Sequence, residues 1–285
     1  MRVLVTGGTK DDAIPIAVFI INVAKTNSHL FDKVIVYHDG ISHKIQRQIN
    51  DFFPTEFIYY DYPLKTKNDA VLSRFSKMVF CKYECFKLLQ QYETVVWSDY
   101  DVVLLRKLDI FCNPAPNTIN GLQSYDSLRR MLFKDITNKE ISSSFNIDQE
   151  GFGTALFSFS RDIKNYQQIY EWCYEKTKTW SEDLYLPEQC IFSMAIQKFN
   201  IPLVRFPFDK YACHPSNKTV GDEYIIHAYG SQKFWDGINY PIWNNLYEEW
   251  LKAGGLPYRK FKKRIKQKLV FIKTRLMGVR HKEHG

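Results

Sequence analysis

The sequence predicts an α/β protein, with a mostly parallel central sheet, helices on both faces and an amphipathic helical tail at the C-terminus. Three observations carry this prediction. Short apolar runs alternate with segments of helical length through the first hundred residues, the pattern of parallel strands joined by crossover helices. Two of those runs end in ligand-friendly residues, Gly7-Gly8 and Asp99-Tyr100-Asp101, and open α/β sheets bind their ligands beyond the carboxyl ends of the strands. The basic residues are concentrated past a Gly-Gly-x-Pro break.

Each element has its own warrant. Val3–Val5 reads as the first strand, and Thr6-Gly7-Gly8-Thr9 as a turn where backbone approaches a ligand closely. Ile14–Thr26 is apolar on more than one face, hence a buried helix. Lys33–Tyr37 is the second strand. His38-Asp39-Gly40-Ile41-Ser42 is a loop ending in a helix cap, followed by a helix over His43–Phe52. Glu56–Tyr60 is the third strand. Ser73–Gln91 reads as a long helix with Phe75, Val79, Phe86 and Leu89 on its apolar positions, and Thr94–Trp97 as a buried strand leading into Asp99. Val102–Leu105 continues beyond the motif. Past residue 110 the alternation loosens. Ser124–Ile147 is polar and without strong period, a candidate lid. Thr154–Ser160 is a strand, Asp162–Thr177 and Pro187–Phe199 are helices, and Tyr224–His227 is a short strand ending in a histidine. Ala253–Pro257 marks a boundary, giving a catalytic body over 1–253 and a tail over 254–285.

Composition bounds the function. The 285 residues, 45% hydrophobic and 16% aromatic, suit one large domain plus an appendage. No apolar run is long enough to cross a membrane, and the N-terminus reads as a core strand rather than a signal peptide. The six cysteines show no Cys-x-x-Cys pairing and read as reduced thiols of a cytosolic protein. The net charge of +8 is unevenly spread. Residues 259–285 hold 11 Lys/Arg against one acid, leaving 28 Lys/Arg and 30 Asp/Glu for the rest. The body is therefore mildly acidic.

Asp99-Tyr100-Asp101 is the only Asp-x-Asp in the chain. About one is expected by chance at this length, so alone it is explained as well by chance as by a metal. Bare carboxylates at a buried strand end are costly unless a cation sits on them. Far downstream stands His227-Ala228-Tyr229-Gly230-Ser231-Gln232-Lys233-Phe234-Trp235. Together the two segments resemble glycosyltransferase family 8, which closes its catalytic domain with His-x-x-Gly-x-x-Lys-Pro-Trp. His227, Gly230, Lys233 and Trp235 match, and Phe234 replaces the proline. His38–Ser42, Phe80-Cys81-Lys82, Pro187-Glu188-Gln189 and Arg205–Phe208 resemble further family segments in order, so the likeness covers roughly residues 1–250. The chain departs from the pattern at Gly7-Gly8, at Phe152-Gly153-Thr154 where the family has Asn-Ala-Gly, at Lys82 where it has Arg, and at Cys190 where it has Asp.

The resemblance implies a GT-A type nucleotide-sugar-binding fold and a metal-dependent hexosyltransferase. Its donor is a nucleotide diphosphate sugar, UDP-glucose or UDP-galactose, transferred with retention to a saccharide or lipid-linked saccharide in bacterial surface polysaccharide or lipopolysaccharide synthesis. It implies Asp99, Asp101 and His227 as metal ligands, and two carboxylates with one imidazole suit Mn²⁺ better than Mg²⁺, which remains possible. Thr6, Gly7, Gly8, Lys82, Asp99, Tyr100, Gly230 and Lys233 would contact the nucleotide sugar. Gln189, Glu188 and Lys233 would act in catalysis, Lys233 on the phosphates, Gln189 near the reacting carbon and Glu188 on the donor sugar. The plainer readings stand beside these: His227 as a hydrogen-bonded loop histidine, Lys82 on a solvated helix face, Glu188 and Gln189 as the polar start of a helix. An inverting transferase would need a carboxylate base, with Asp148, Glu150 or Asp183 as candidates. A non-catalytic sugar-nucleotide or glycan binder on the same fold is the other alternative.

In the tail, Phe261, Ile265, Leu269, Ile272, Leu276 and Val279 fall on one helical stripe, with Lys and Arg filling much of the rest. A basic amphipathic helix of this kind over 258–282 suits an anionic membrane surface, at about 1 kcal/mol per basic residue near the surface. The expectation is an enzyme attached peripherally to the inner, cytoplasmic face of the membrane. A helix packed on the body is the alternative. No nucleic-acid partner is expected, since the body has no recognised motif for one.

Overall fold

The computed structural model describes residues 1–64, 75–133, 138–217 and 221–258. Its centre is a seven-stranded sheet in the order β3-β2-β1-β4-β7-β6-β8. The strands are β1 (Arg2–Gly8), β2 (Lys33–His38), β3 (Thr55–Tyr59), β4 (Thr94–Ser98), β6 (Ile119–Ser127), β7 (Glu150–Ser160) and β8 (Leu203–Phe206). The pairs β3-β2, β2-β1, β1-β4 and β6-β8 are parallel, while β7 runs antiparallel to both β4 and β6. A separate two-stranded ribbon pairs β5 (Val102–Leu104) with β9 (Ile225–His227), Val102 opposite His227.

The sheet interior follows from the sequence. Val3, Leu4, Val5, Val34, Ile35, Val36, Val95, Val96 and Trp97 are all buried, as expected of parallel strands covered on both faces. Helix α1 (Ala13–Thr26) is buried almost all round, matching its unbroken apolar run. Helix α2 is His43–Asn50 and α3 is Glu84–Leu88. Short helices α4 (Asp109–Cys112), α5 (Leu128–Met131) and α6 (Lys139–Ser144) precede the longer α7 (Tyr166–Thr179) and α8 (Pro187–Lys198). They are followed by α9 (Phe208–Tyr211) and α10 (Pro241–Lys252). An aromatic seam joins the helices to β7, with Phe86 stacked on Phe159 at 4.6 Å between ring centres and Phe192 tilted against Phe157 at 5.2 Å.

Several expectations are corrected. β1 runs on through Gly7 and Gly8, so Thr6–Thr9 is not a turn. The glycine at position 7 is explained by packing: a Cβ there would lie 2.5 Å from Cys81 Sγ. Of the stretch expected as one long helix over Ser73–Gln91, residues 73 and 74 lie outside the described residues; among the rest, Lys77–Tyr83 is a 3₁₀ helix and only Glu84–Leu88 is α-helical. Phe80, Cys81, Lys82 and Tyr83 are four consecutive buried residues, which a one-sided amphipathic helix cannot provide. The stretch read as a polar lid carries β6 to Ser127, then α5 and α6, with Leu128, Met131, Leu132 and Ile141 buried in the core. The strand expected from Thr154 begins at Glu150, and the helix expected from Asp162 begins at Tyr166. All six cysteines are free and buried.

Residues Met1–Gly255 form one compact unit. The amphipathic stripe of the tail, Phe261 to Val279, lies outside the described residues. Among the described residues no helix is long and apolar enough to cross a membrane.

Candidate metal and donor site

The Asp99–Asp101 motif is not on a strand. It spans the gap between β4 and β5, where the chain leaves the main sheet for the ribbon. Its backbone is fastened at both ends. The Asp99 amide donates to Ala155 O of β7 at 2.8 Å, and the Asp101 carbonyl accepts from Ala228 N, just past β9, at 2.9 Å. Through that second bond and the Val102–His227 pairing, residues more than a hundred positions apart meet at one point.

The ribbon is itself fixed from α1. Buried Asn22 accepts Leu104 N at 2.6 Å and donates to Leu104 O at 3.1 Å, and Asn27 accepts Leu108 N at 2.8 Å. Both backbone groups of a β5 residue are thus satisfied by one side chain of the helix, so the ribbon cannot slide without stranding buried polar atoms.

Asp99, Asp101 and His227 each offer a ligand atom, all within 4.8 Å of one another. His227 Nε2 lies 3.1 Å from Asp101 Oδ1. Lys233 Nζ donates to Asp101 Oδ2 and, at 2.8 Å, to Ala228 O. Burial alone would push the Asp101 carboxyl upward, but the neighbouring His227 and Lys233 outweigh it and hold the group well below the usual carboxylate range. The donor set of two carboxylates and an imidazole fits a divalent cation such as Mn²⁺. His227 Nδ1 is buried with no hydrogen-bond partner among the described residues, so the ring is held by its ribbon rather than by a second polar contact.

The other expected residues fall as follows. Lys82 is not on a solvated face. It is buried, with Nζ 3.2 Å from Asp99 Oδ1, 3.3 Å from Glu188 Oε1 and 3.3 Å from Thr154 Oγ1, and Thr154 Oγ1 donates to Glu188 Oε1 at 3.2 Å. Burial works against its charge, yet Asp99 and Glu188 prevail and its pKa is raised above that of an ordinary lysine. Glu188, at the start of α8, is buried with it. Gln189 is half-buried, its carbonyl accepting Ser193 Oγ at 2.8 Å. Tyr100 stacks on Trp235 at 5.8 Å, and burial raises its hydroxyl pKa, helped by Asp12 and Asp101. Thr6 is fully buried with its Oγ1 unpartnered among the described residues, so its side chain lies inside the fold rather than on a ligand-facing surface. Gly230 has φ +86° with nothing within 4 Å of a Cβ position, so backbone conformation, not crowding, demands glycine there.

The candidates for an inverting base have other partners. Asp148 pairs with Arg129 at 2.8 Å, Glu150 with Arg205 at 3.3 Å, and Asp183 accepts Asn138 Nδ2 at 2.9 Å. Trp97 escaped the sequence reading: its indole N–H donates to Asp99 Oδ1 at 2.9 Å. Its place two residues before the first Asp was the available signal.

The profile described as "Glycosyl transferase family 8" matches residues 3–239. The chain belongs to that family. It is a glycosyltransferase. No curated protein matches it. Among solved structures it is similar to the galactosyltransferase LgtC in complex with donor and acceptor sugar analogues, at 14% identity and TM-score 0.61, covering 89% of this chain and 100% of that one. It is also similar to the apo bifunctional glycosyltransferase WbbM, at 14% identity and TM-score 0.60, covering 86% of this chain and 51% of that one. GlyE of Streptococcus pneumoniae TIGR4 in its apo form has 13% identity and TM-score 0.57, covering 89% of this chain and 64% of that one. At these identities the likeness is one of fold, and it is the GT-A fold of a family 8 enzyme with Asp99, Asp101 and His227 as its possible metal site.

Proposed function

We propose that this family 8 enzyme transfers a hexose from UDP-glucose or UDP-galactose, with Mn²⁺ and with retention of anomeric configuration. We propose a bacterial surface saccharide or its lipid-linked precursor as acceptor, reached at the inner face of the membrane through the basic tail. The observation that carries the reading is the convergence of Asp99, Asp101, His227 and Lys233 on one point from two distant parts of the chain.

Asp99, Asp101 and His227 would hold the cation, which when bound neutralises charge on the departing diphosphate. Lys233 brings a second positive charge to the same place. Its ammonium is already oriented by Asp101 and Ala228 O, and Gly230 lets the intervening loop turn. Lys82, Thr154 and Glu188 form a buried polar group beside Asp99, suited to hydroxyls of the donor hexose. Gln189 follows Glu188 on α8, and its side-chain amide makes no hydrogen bond among the described residues. It would place that amide against the positive charge that develops at the sugar carbon. LgtC with an active-site Gln→Glu substitution is among the similar structures.

On the far side of His227 an aromatic ledge leads to the surface. Tyr229 lies 5.5 Å from His227, 5.5 Å from Phe208 and 4.7 Å from His214, and Phe208 lies 6.1 Å from Tyr125. Tyr125 and Tyr229 are 69% and 40% exposed. Exposed rings grouped beside a reaction centre suit the apolar face of an acceptor sugar.

The test is to incubate the full chain with each UDP-hexose and Mn²⁺, with and without a panel of saccharides, and to assign the anomeric configuration of the product by NMR. An α-linked product from the α-configured donor supports the reading. A β-linked product contradicts retention, and no release of UDP from any donor contradicts the proposed donors.

A further inference from the structure

The two oxygens of Asp99 are not equivalent. Oδ1 accepts the indole N–H of Trp97 at 2.9 Å and lies 3.2 Å from Lys82 Nζ. No described donor is recorded on Oδ2. The two groups that hold Oδ1 also touch each other, since Lys82 Nζ sits 5.5 Å from the centre of the Trp97 ring, within range of a cation–π contact. They differ in how firmly they hold. Lys82 is a flexible chain whose charge is divided between Asp99 and Glu188, and an ammonium is a point charge without preferred direction. Trp97 is 1% exposed, lies in the middle strand of the sheet and stacks on Phe157 at 6.2 Å with the planes 10° apart. Its N–H therefore points one way.

We propose that Trp97 is a positioning residue for the metal site. By holding Oδ1 it leaves Asp99 one oxygen, Oδ2, to give to a divalent cation, and so favours Mn²⁺ over Ca²⁺. This rests on the metal-site reading above. A carboxylate that can turn freely offers both oxygens, and Ca²⁺ accepts bidentate carboxylates in a flexible shell of six to eight oxygens. An Asp pinned by one oxygen, beside an imidazole, suits the smaller shell of a transition ion. Groups that orient a metal ligand without touching the ion typically change affinity by 10–100-fold.

The test uses the metal-free full chain without donor. Mn²⁺ binding is read from the electron paramagnetic resonance of the free ion, and Ca²⁺ binding by competition. Trp97→Phe keeps an aromatic ring against Phe157 but removes the donor. We expect its Mn²⁺ affinity to fall about tenfold with little change for Ca²⁺, so that the preference narrows. Phe86→Leu loosens a core stack, that on Phe159, in which Trp97 takes no part. It should lower the melting temperature without altering the Mn²⁺/Ca²⁺ ratio, which a merely structural role for Trp97 would not separate. If Trp97→Phe does not fold, benzothienylalanine at position 97 replaces only the N–H with sulfur and reads the same ratio. An unchanged ratio in the variant that folds overturns the proposal. Asp101→Asn tells the two failures apart: if it abolishes Mn²⁺ binding while the ratio stays fixed, only the role of Trp97 is wrong. If Asp101→Asn binds Mn²⁺ as well as wild type, the metal site itself is wrong and the proposal falls with it.

Discussion

Replacing Lys82 with Met should cost this protein about 3 kcal/mol of stability in the absence of metal. The ammonium stands between two carboxylates, at 3.2 Å from Asp99 and 3.3 Å from Glu188, and the three side chains are 7%, 25% and 11% exposed. Removing one member of a buried ion pair typically costs 3–5 kcal/mol, because the charge left behind has lost its partner. Asp99 is a quarter exposed and partly screened by water, which places the effect at the lower end of that range. A loss of about 3 kcal/mol lowers the melting temperature by roughly 6–12 °C in a domain of this size. Urea denaturation in EDTA measures it. Adding Glu188→Gln to Lys82→Met removes one of the stranded carboxylates, so the double variant should recover about 1–2 kcal/mol relative to additivity. Saturating Mn²⁺ should shrink the deficit of the single variant, since the cation neutralises Asp99. A loss below about 1 kcal/mol, or strict additivity in the cycle, would refute the claim that Lys82 is a shared buried cation.

Three further outcomes are expected. Gly7→Ala puts a Cβ 2.5 Å from Cys81 Sγ and should destabilise by about 1–3 kcal/mol, with Cys81→Ala restoring most of the loss in chemical denaturation. Asn22→Leu leaves Leu104 N–H and C=O unpaired in the interior, at about 1–3 kcal/mol for each group. It should also weaken Mn²⁺ binding, measured by calorimetry, because the ribbon carrying His227 is released. The third outcome concerns acid. The Asp101 carboxyl is held below its ordinary value of 3.8, burial opposing and His227 and Lys233 prevailing. A group depressed in the folded state stabilises it above the unfolded pKa and loses that contribution as pH falls. The stability gap between wild type and Asp101→Asn, measured without metal, should be full at neutral pH and close progressively below about pH 4. A gap that persists unchanged to pH 3 would contradict the pairing.

Much of the parallel half of the sheet was legible, because the strands read at Val3–Val5, Lys33–Tyr37 and Thr94–Trp97 are built on the apolar runs 3–5, 34–37 and 95–97, and such strands are buried on both faces. In the other half Thr154–Ser160 of β7 was read as a strand, but β6 and β8 were not. Ile119–Ser127 contains Asn, Gly, Gln and Asp, and its strand character comes from pairing with β7 and β8 rather than from its own pattern. Helix α10 was missed too, although Trp243, Leu246 and Trp250 are its buried positions. In the site, the spaced match from His227 to Trp235 identified His227 and Lys233, which then meet Asp101 in the fold. The surroundings of Lys82 could not be read in the same way, since its partners are 17 and 106 residues away and a lysine among aromatics looks the same whether it faces water or a carboxylate. Thr6, a polar residue read as a ligand contact from its place at a strand end, has its side chain fully inside the fold, a burial its position alone did not reveal.

The central claim is that Asp99, Asp101 and His227 form a metal site for a nucleoside diphosphate. It is tested most directly by calorimetric titration of UDP into the metal-free full chain, with and without Mn²⁺, in wild type and Asp101→Asn. The account predicts binding that requires Mn²⁺ in wild type and is lost in the variant. UDP binding of equal strength without Mn²⁺, or undiminished in Asp101→Asn, would contradict it.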